Sequence, residues 1–466
     1  MRAVPLIILL FLTVPVPAAA NTGTGWLARS LAGSVSTRDA MSSVRAFDFA
    51  ASTSGGNREA GTPGFEKSRA HVEQVLERAG YRVTEQSVPF RAFTADTESL
   101  TTDEGRALVL MAQYGLAADV EGTIARAADA GCAPADYPPG TAIAVAPSGV
   151  CTTAGKTVAA QAAGVRALVV YDVTPALDAV IRRQAAGAVL PVAFTSVREA
   201  ESLSGHGVLR LSGHTVDSTT VNVFAETAGG RADHVVMAGA HLDSGADGPG
   251  INDNATSVSA LLETAVRLAP HQHRVPNKVR FAFWGAEELI NIGSTHYVAT
   301  RTQQELAAIR LYLNWELIAS PNFVRFVVDG DDSDHPGTGA PAGPPGSGTV
   351  EAVLSQGYRL QRLPFRTADL ADIRSDQEPF ARAGIPVGGA FGGVRGIKTP
   401  EEAAVFGGTA GQPYDPCYHQ PCDDLSNVHV GALGEAMRAM AWAVGWFAVD
   451  DTLSSGGEVA AVDYPH

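Results

Sequence analysis

Between positions 241 and 419 the chain repeatedly places histidine and carboxylate side chains just past stretches that read as strands. His241-Leu242-Asp243 ends one apolar run, and a glycine-rich turn leads on to Asn252-Asp253-Asn254. Gly285-Ala286-Glu287-Glu288 ends a second run, Asn314-Trp315-Glu316 a third, and His419 lies in Cys417-Tyr418-His419. Zinc accepts imidazole nitrogen and carboxylate oxygen, and a catalytic site leaves a position open for water. One ion is expected on His241 and Glu316 and a second on Glu288 and His419, with Asp253 bridging them. Two such ions about 3.5–4 Å apart acidify water and polarise a carbonyl oxygen. Glu287 and Glu288 are adjacent and point in different directions. With Glu288 as a ligand, Glu287 is left to take a proton from water and pass it to a leaving amine. One His or Glu alone is more often a surface or hydrogen-bonded structural residue, so the joint pattern carries the reading. No Gly-x-Ser-x-Gly elbow supports an acyl-serine mechanism, and no His-Glu-x-x-His helix supports the commonest single-zinc design.

Strand-then-helix units must position these groups. Val235-Val236-Met237-Ala238 reads as a buried strand ending at His241, and 256–268 as a helix with Val258, Leu261, Leu262, Ala265 and Val266 on one face. Further strands are expected over 278–284 and 309–313. Alternation of this kind implies an α/β fold with a mixed, mainly parallel sheet flanked by helices, whose ligands bind beyond the C-terminal strand ends. Upstream, 66–78 has helical spacing (Ala70, Val72, Val75, Leu76) and closes at Ala79-Gly80-Tyr81. The stretch 95–220 is richer in Ala and Gly, with short apolar runs at 142–146, 167–171 and 190–194, and reads as an inserted, smaller domain. Residues 329–348 read as a long solvated loop, since their acidic start lacks a calcium-loop ligand pattern. The expected division is a signal segment 1–20, a first catalytic part 21–94, the insert 95–220, the metal-binding part 221–450 and a tail 451–466.

A hydrophobic share of 45% with 18% charged residues fits a globular chain. Lys plus Arg number 34 against 49 Asp plus Glu, a net charge of -15 without a basic run, which argues against nucleic acid as a partner. The apolar run 4–16, broken by Pro5 and Pro15 and followed by Ala18-Ala19-Ala20, reads as a cleaved export signal, so that the mature chain starts near Asn21 and is secreted without a membrane span. The four cysteines allow three pairings. The local ones, Cys132 with Cys151 and Cys417 with Cys422, are favoured because each closes a short loop; their spacing argues against a four-cysteine zinc site. Asn254-Ala255-Thr256 spells a glycosylation sequon but abuts Asp253, and is read as a helix cap.

Met237-Ala238-Gly239-Ala240-His241-Leu242-Asp243-Ser244, Gly248-Pro249-Gly250-Ile251-Asn252-Asp253-Asn254, Phe283-Trp284-Gly285-Ala286-Glu287-Glu288 and Cys417-Tyr418-His419 resemble, in order, signatures of the M28 zinc aminopeptidases, in particular their secreted bacterial members. Residues 95–220 are similar to a protease-associated (PA) domain at Gly131-Cys132 to Asp136, Gly149-Val150-Cys151, Lys156 and Ala163-Gly164. The resemblance implies the zinc exopeptidase fold, two zinc ions on the ligands named above, Glu287 as base, and peptide or protein N-termini as substrate. It also implies that Asp243 orients the ligands, that Tyr418 donates a hydrogen bond to the tetrahedral intermediate, and that Arg374 lies beside the substrate. Glu287 and Glu316 would pair with the substrate ammonium. The chain departs from the pattern at Glu316, where many relatives carry Asp, and at Gln377, following Ser375-Asp376, where they carry His. A carboxypeptidase, a single-zinc glutaminyl cyclase and a non-catalytic PA-domain binding protein are the alternatives on the same fold; His241, which a one-metal site would not need, argues against the cyclase.

Overall fold

The computed structural model describes residues 23–173, 180–334, 336, 341–370 and 374–450. The expected signal segment and the 451–466 tail lie outside the described residues. The continuous apolar runs do form strands buried on both faces: Arg231–His241, Asn277–Trp284 and Ile309–Glu316 lie side by side and parallel, and Val387–Phe391 pairs parallel to the last of them. Successive side chains of a strand point to opposite faces. Val236, Ala238, Ala240, Val279, Phe281 and Phe283 therefore face one apolar cluster, and Met237, Ala282 and Trp284 face another. On the first face pack Thr256–Leu268, Ser347–Leu360, Val430–Phe447 and the N-terminal helices Gly23–Ser34, Thr37–Ser52 and Pro63–Arg78. The helix expected from 66 starts three residues earlier. Pro63 occupies its first turn and the Thr62 hydroxyl accepts from the Phe65 N–H, which satisfies one of the donors a helix start leaves open.

The second unit has its own parallel strands, Ala118–Arg126, Ile143–Pro147, Ala167–Tyr171 and Val192–Thr195, around separate apolar clusters. Its connection to the rest was not expected from sequence. Arg82–Thr102 and Gly205–Glu226 are long antiparallel partners over almost their full length, and they run straight through positions 95 and 220. One end of Gly205–Glu226 pairs with Asn277–Trp284 and the other with Ala118–Arg126, so a single mixed sheet of fourteen strands among the described residues spans both units. Both disulfides are the local ones, Cys132–Cys151 and Cys417–Cys422. The 329–348 stretch, expected as a solvated loop, is regular at both ends: Asp329, buried, ends the strand Phe326–Asp329, and Ser347 begins a helix. Among the described residues no helix is long and apolar enough to cross a membrane.

Candidate metal centre

The C-terminal ends of the parallel strands converge, with Trp284 in register with His241 and Asn314 with Gly239. His241 is the last residue of its strand and Glu316 of its own, and the turn after Trp284 delivers Glu287 and Glu288. His241 Nε2 lies 2.8 Å from Glu316 Oε1 and 3.2 Å from Asp253 Oδ1. His419 Nε2 lies 2.9 Å from Glu288 Oε2 and 3.2 Å from Asp253 Oδ2. Asp253 thus turns one oxygen to each histidine, and each histidine meets a different glutamate. Glu287 Oε2 stands 3.8 Å from His241 Nε2.

The surrounding residues hold this arrangement. Asp243 accepts the N–H groups of Glu287 (3.1 Å) and Glu288 (3.2 Å), and its backbone oxygen lies 3.1 Å from His241 Nδ1. The turn before Asp253 needs Gly250 at φ 62°, where a Cβ would come within 2.3 Å of Asp253 O. The side chain of Asn254 does not cap the following helix. It donates to Trp315 O at 2.9 Å and accepts from Leu317 N at 3.1 Å, tying the Asp253 turn to the Glu316 strand, while the helix N-cap is Ala255 with no side-chain bond. Asn254 is fully buried, so the sequon spelling is closed to a glycan. His419 takes φ 55° inside the loop closed by Cys417–Cys422, and the Tyr418 ring stacks on its imidazole at 3.8 Å. Arg374 is exposed one residue before Ser375, and among the described residues no contact joins it to the carboxylates of the centre.

Arg58 and Asp423 were not legible beforehand, whereas the stretch 375–377 stands out in the sequence as a departure from the family pattern. Buried Arg58 donates to the carbonyls of Leu242, Pro249 (2.9 Å) and Gly250 (2.5 Å), clamping both ends of the turn that leads to Asp253. Burial lowers its pKa to about 10, with the carboxylates of Asp243 and Asp423 opposing. Asp423 accepts the N–H groups of Asn252 (2.8 Å) and Asp253 (3.0 Å), and burial, reinforced by Asp415, pushes it up to about 8. Ser375 donates to Glu316 Oε2 at 2.5 Å. Asp376 is buried behind it and raised to about 8 by that burial, which the charge of His241 opposes; Gln377, also buried, starts the helix Gln377–Arg382.

The electrostatics describe a centre in want of positive charge. Burial pushes the imidazoles down, but Glu316 and Glu287 reverse this at His241, which ends well above its ordinary value, and Glu288 and Asp253 raise His419 to about 10. Burial also raises Glu287 far above the carboxylate range, while Asp253 is held below it because the bonds from His241 and His419 outweigh its burial. The donors fit zinc: two imidazoles and three carboxylates converge, ligand atoms of His241, Asp253 and Glu288 lie within 4.8 Å of one another, and buried Glu288 Oε1 has no hydrogen-bond partner.

The sequence profile of peptidase family M28 matches residues 222–444, and that of the PA domain matches 120–203. An aminopeptidase of Pseudomonas aeruginosa (strain UCBPP-PA14) is 36% identical over 446 residues, covering 88% of this chain and 81% of its own. The chain belongs to peptidase family M28. A probable lipoprotein aminopeptidase of Mycobacterium tuberculosis, LpqL, is 38% identical to this M28 peptidase over 93% of its length and 88% of the relative's. Among solved structures, a zinc aminopeptidase from Bacillus subtilis superposes on the M28 peptidase with a TM-score of 0.68 at 22% identity, over 88% of this chain and 94% of that one, a likeness of fold.

Proposed function

We propose that this M28 aminopeptidase removes the N-terminal residue of peptides and proteins with an unblocked amine, that it holds two zinc ions, on His241 with Glu316 and on Glu288 with His419, joined by Asp253, and that it is secreted. The observation that carries the reading is the split carboxylate of Asp253, one oxygen 3.2 Å from each histidine. Bound zinc would supply the positive charge that acidifies water and polarises the scissile carbonyl. The remaining work falls to side chains. Glu287 and Glu316 place negative charge on the His241 side, where a substrate ammonium pairs with them, which makes a blocked amine a poor ligand. Glu287, buried beside that pair, takes the proton of the attacking water at its carboxylate and delivers it to the leaving nitrogen. Tyr418, held flat against His419, gives its hydroxyl hydrogen bond to the oxyanion of the transition state. Asp243 keeps Glu287 and Glu288 in their divergent directions through their N–H groups. Arg374 flanks the substrate from the exposed turn before Ser375. Export is supported by the 1–20 segment, and reading Asn21 as the first residue of the exported protein checks it.

Zinc content tests the centre. Elemental analysis of the purified enzyme is expected to give two ions per chain, and about one in Glu316→Ala and in Glu288→Ala. Full activity at one ion per wild-type chain would sink the two-metal reading.

A further inference from the structure

One charged feature beside the centre is not used by these steps. Asp172, just past the strand Ala167–Tyr171, faces two guanidinium groups through the same oxygen: Arg183 from the PA unit and Arg395, at 2.9 Å, from the loop after Val387–Phe391. Among the described residues, two cations on one carboxylate leave surplus positive charge at partly buried groups, a situation that favours an incoming anion. Burial, and then the charge of Arg395, lower the pKa of Arg183, which fits that surplus. The pair lies close to the catalytic loop. Arg395 Cζ is 5.8 Å from the centre of the Tyr418 ring, and that ring stacks on His419. The backbone is fixed on both sides, because Gln113 N–H donates to Arg183 O (2.9 Å) and Asp415 N–H to Val394 O (2.9 Å). Gln420 Nε2 also reaches Val180 O at 3.2 Å, holding the PA unit against the same loop.

We propose that Arg183 and Arg395 form a subsite for the C-terminal carboxylate of a di- or tripeptide, so that the enzyme favours short free-acid peptides over the same peptides with an amidated end. The proposal rests on the aminopeptidase reading, with the ammonium on the Glu287 and Glu316 side and the chain leaving past His419 and Tyr418. An extended chain advances about 3.5 Å per residue, so one or two residues beyond the scissile bond carry the carboxylate past the Tyr418 ring. Guanidinium groups suit it there, since their planar fork accepts a carboxylate through two parallel hydrogen bonds. Asp172 meanwhile keeps both forks oriented without neutralising them.

The test compares kcat/KM for leucyl-glycyl-glycine and for its C-terminal amide with the zinc-loaded enzyme. The free acid is expected to be favoured by about tenfold, the size of one charge-assisted hydrogen bond, mainly through KM. That preference should fall close to one in Arg395→Gln and in Arg183→Gln, and recover in part in Arg395→Lys. Arg183→Gln leaves the Arg395–Asp172 contact between the two units intact, so it answers the question even where Arg395→Gln loosens the fold. A wild-type ratio near one, or a ratio that the substitutions leave unchanged while both peptides are cleaved, would overturn the subsite and make the pair a strut between the units. Absence of cleavage of either peptide by the wild type would instead overturn the aminopeptidase reading beneath it.

Discussion

Glu316 reaches two partners at once, His241 through Oε1 at 2.8 Å and Ser375 through Oε2 at 2.5 Å. Its extra methylene, compared with Asp, is thus absorbed by a hydroxyl, which in turn accepts from Asn314 Nδ2 at 3.1 Å. Ser375→Ala leaves the outer oxygen of Glu316 without that donor, and is expected to weaken zinc at the His241 position by about 10–100-fold, measured by competition with a chromophoric chelator. An unchanged affinity would mean that the backbone alone positions Glu316. At this scale the sequence was informative where side chains act on a ligand. His241, Asp253, Glu287, Glu288 and Glu316 stood out because each follows a strand or a glycine-rich turn, and His419 because it lies between the paired Cys417 and Cys422. Arg58 and Asp423 did not stand out, because what they satisfy are main-chain groups, the carbonyls of 242, 249 and 250 and the N–H groups of 252 and 253, whose needs arise only once the turn is formed.

Elements carry their own titration. Glu351, on the helix Ser347–Leu360, accepts the Gly330 N–H at 2.9 Å, and burial, reinforced by Asp329, Asp331 and Asp334, raises it to about 7. A carboxyl with a raised folded pKa favours the native state below its unfolded pKa of about 4.3, and that contribution is lost as pH climbs through the folded value. Glu351→Gln keeps the acceptor and removes the charge. In calcium-free buffer it should therefore raise the unfolding midpoint by a few degrees at pH 8 and by clearly less at pH 5. An equal shift at both pH values would show that Glu351 does not titrate in this window. The strands Arg231–His241, Asn277–Trp284 and Ile309–Glu316 were legible as continuous apolar runs and the helix Thr256–Leu268 from apolar periodicity, whereas Val387–Phe391 was not expected. Arg82–Thr102 and Gly205–Glu226 were not: in their middle they form a two-stranded ribbon with largely solvated faces, so Thr, Ser and charged residues replace the apolar run that marks a buried strand.

Across the described residues, the apolar clusters within 100–211 contain no side chain from the metal-binding unit, although one sheet joins the two. Between the pairings to Asn277–Trp284 and to Ala118–Arg126, residues 212–222 of the long strand pair, among the described residues, only with Arg82–Thr102. Cooperativity follows shared cores more than shared strands, so calorimetry should resolve two unfolding transitions, one per unit. A single transition with equal calorimetric and van't Hoff enthalpies would show that contacts such as Arg395–Asp172 fuse the units into one. Composition marked the PA unit as different in character, but not that the chain enters and leaves it on neighbouring strands, because that pairing joins segments more than a hundred residues apart.

The most direct test of the account is hydrolysis of leucine p-nitroanilide and its N-acetyl form by the purified mature enzyme, each with and without a zinc chelator. The account predicts turnover of the free-amine substrate alone, abolished by the chelator and restored by zinc. Turnover of the N-acetyl form at a comparable rate, or free-amine turnover that survives complete removal of zinc, would contradict it.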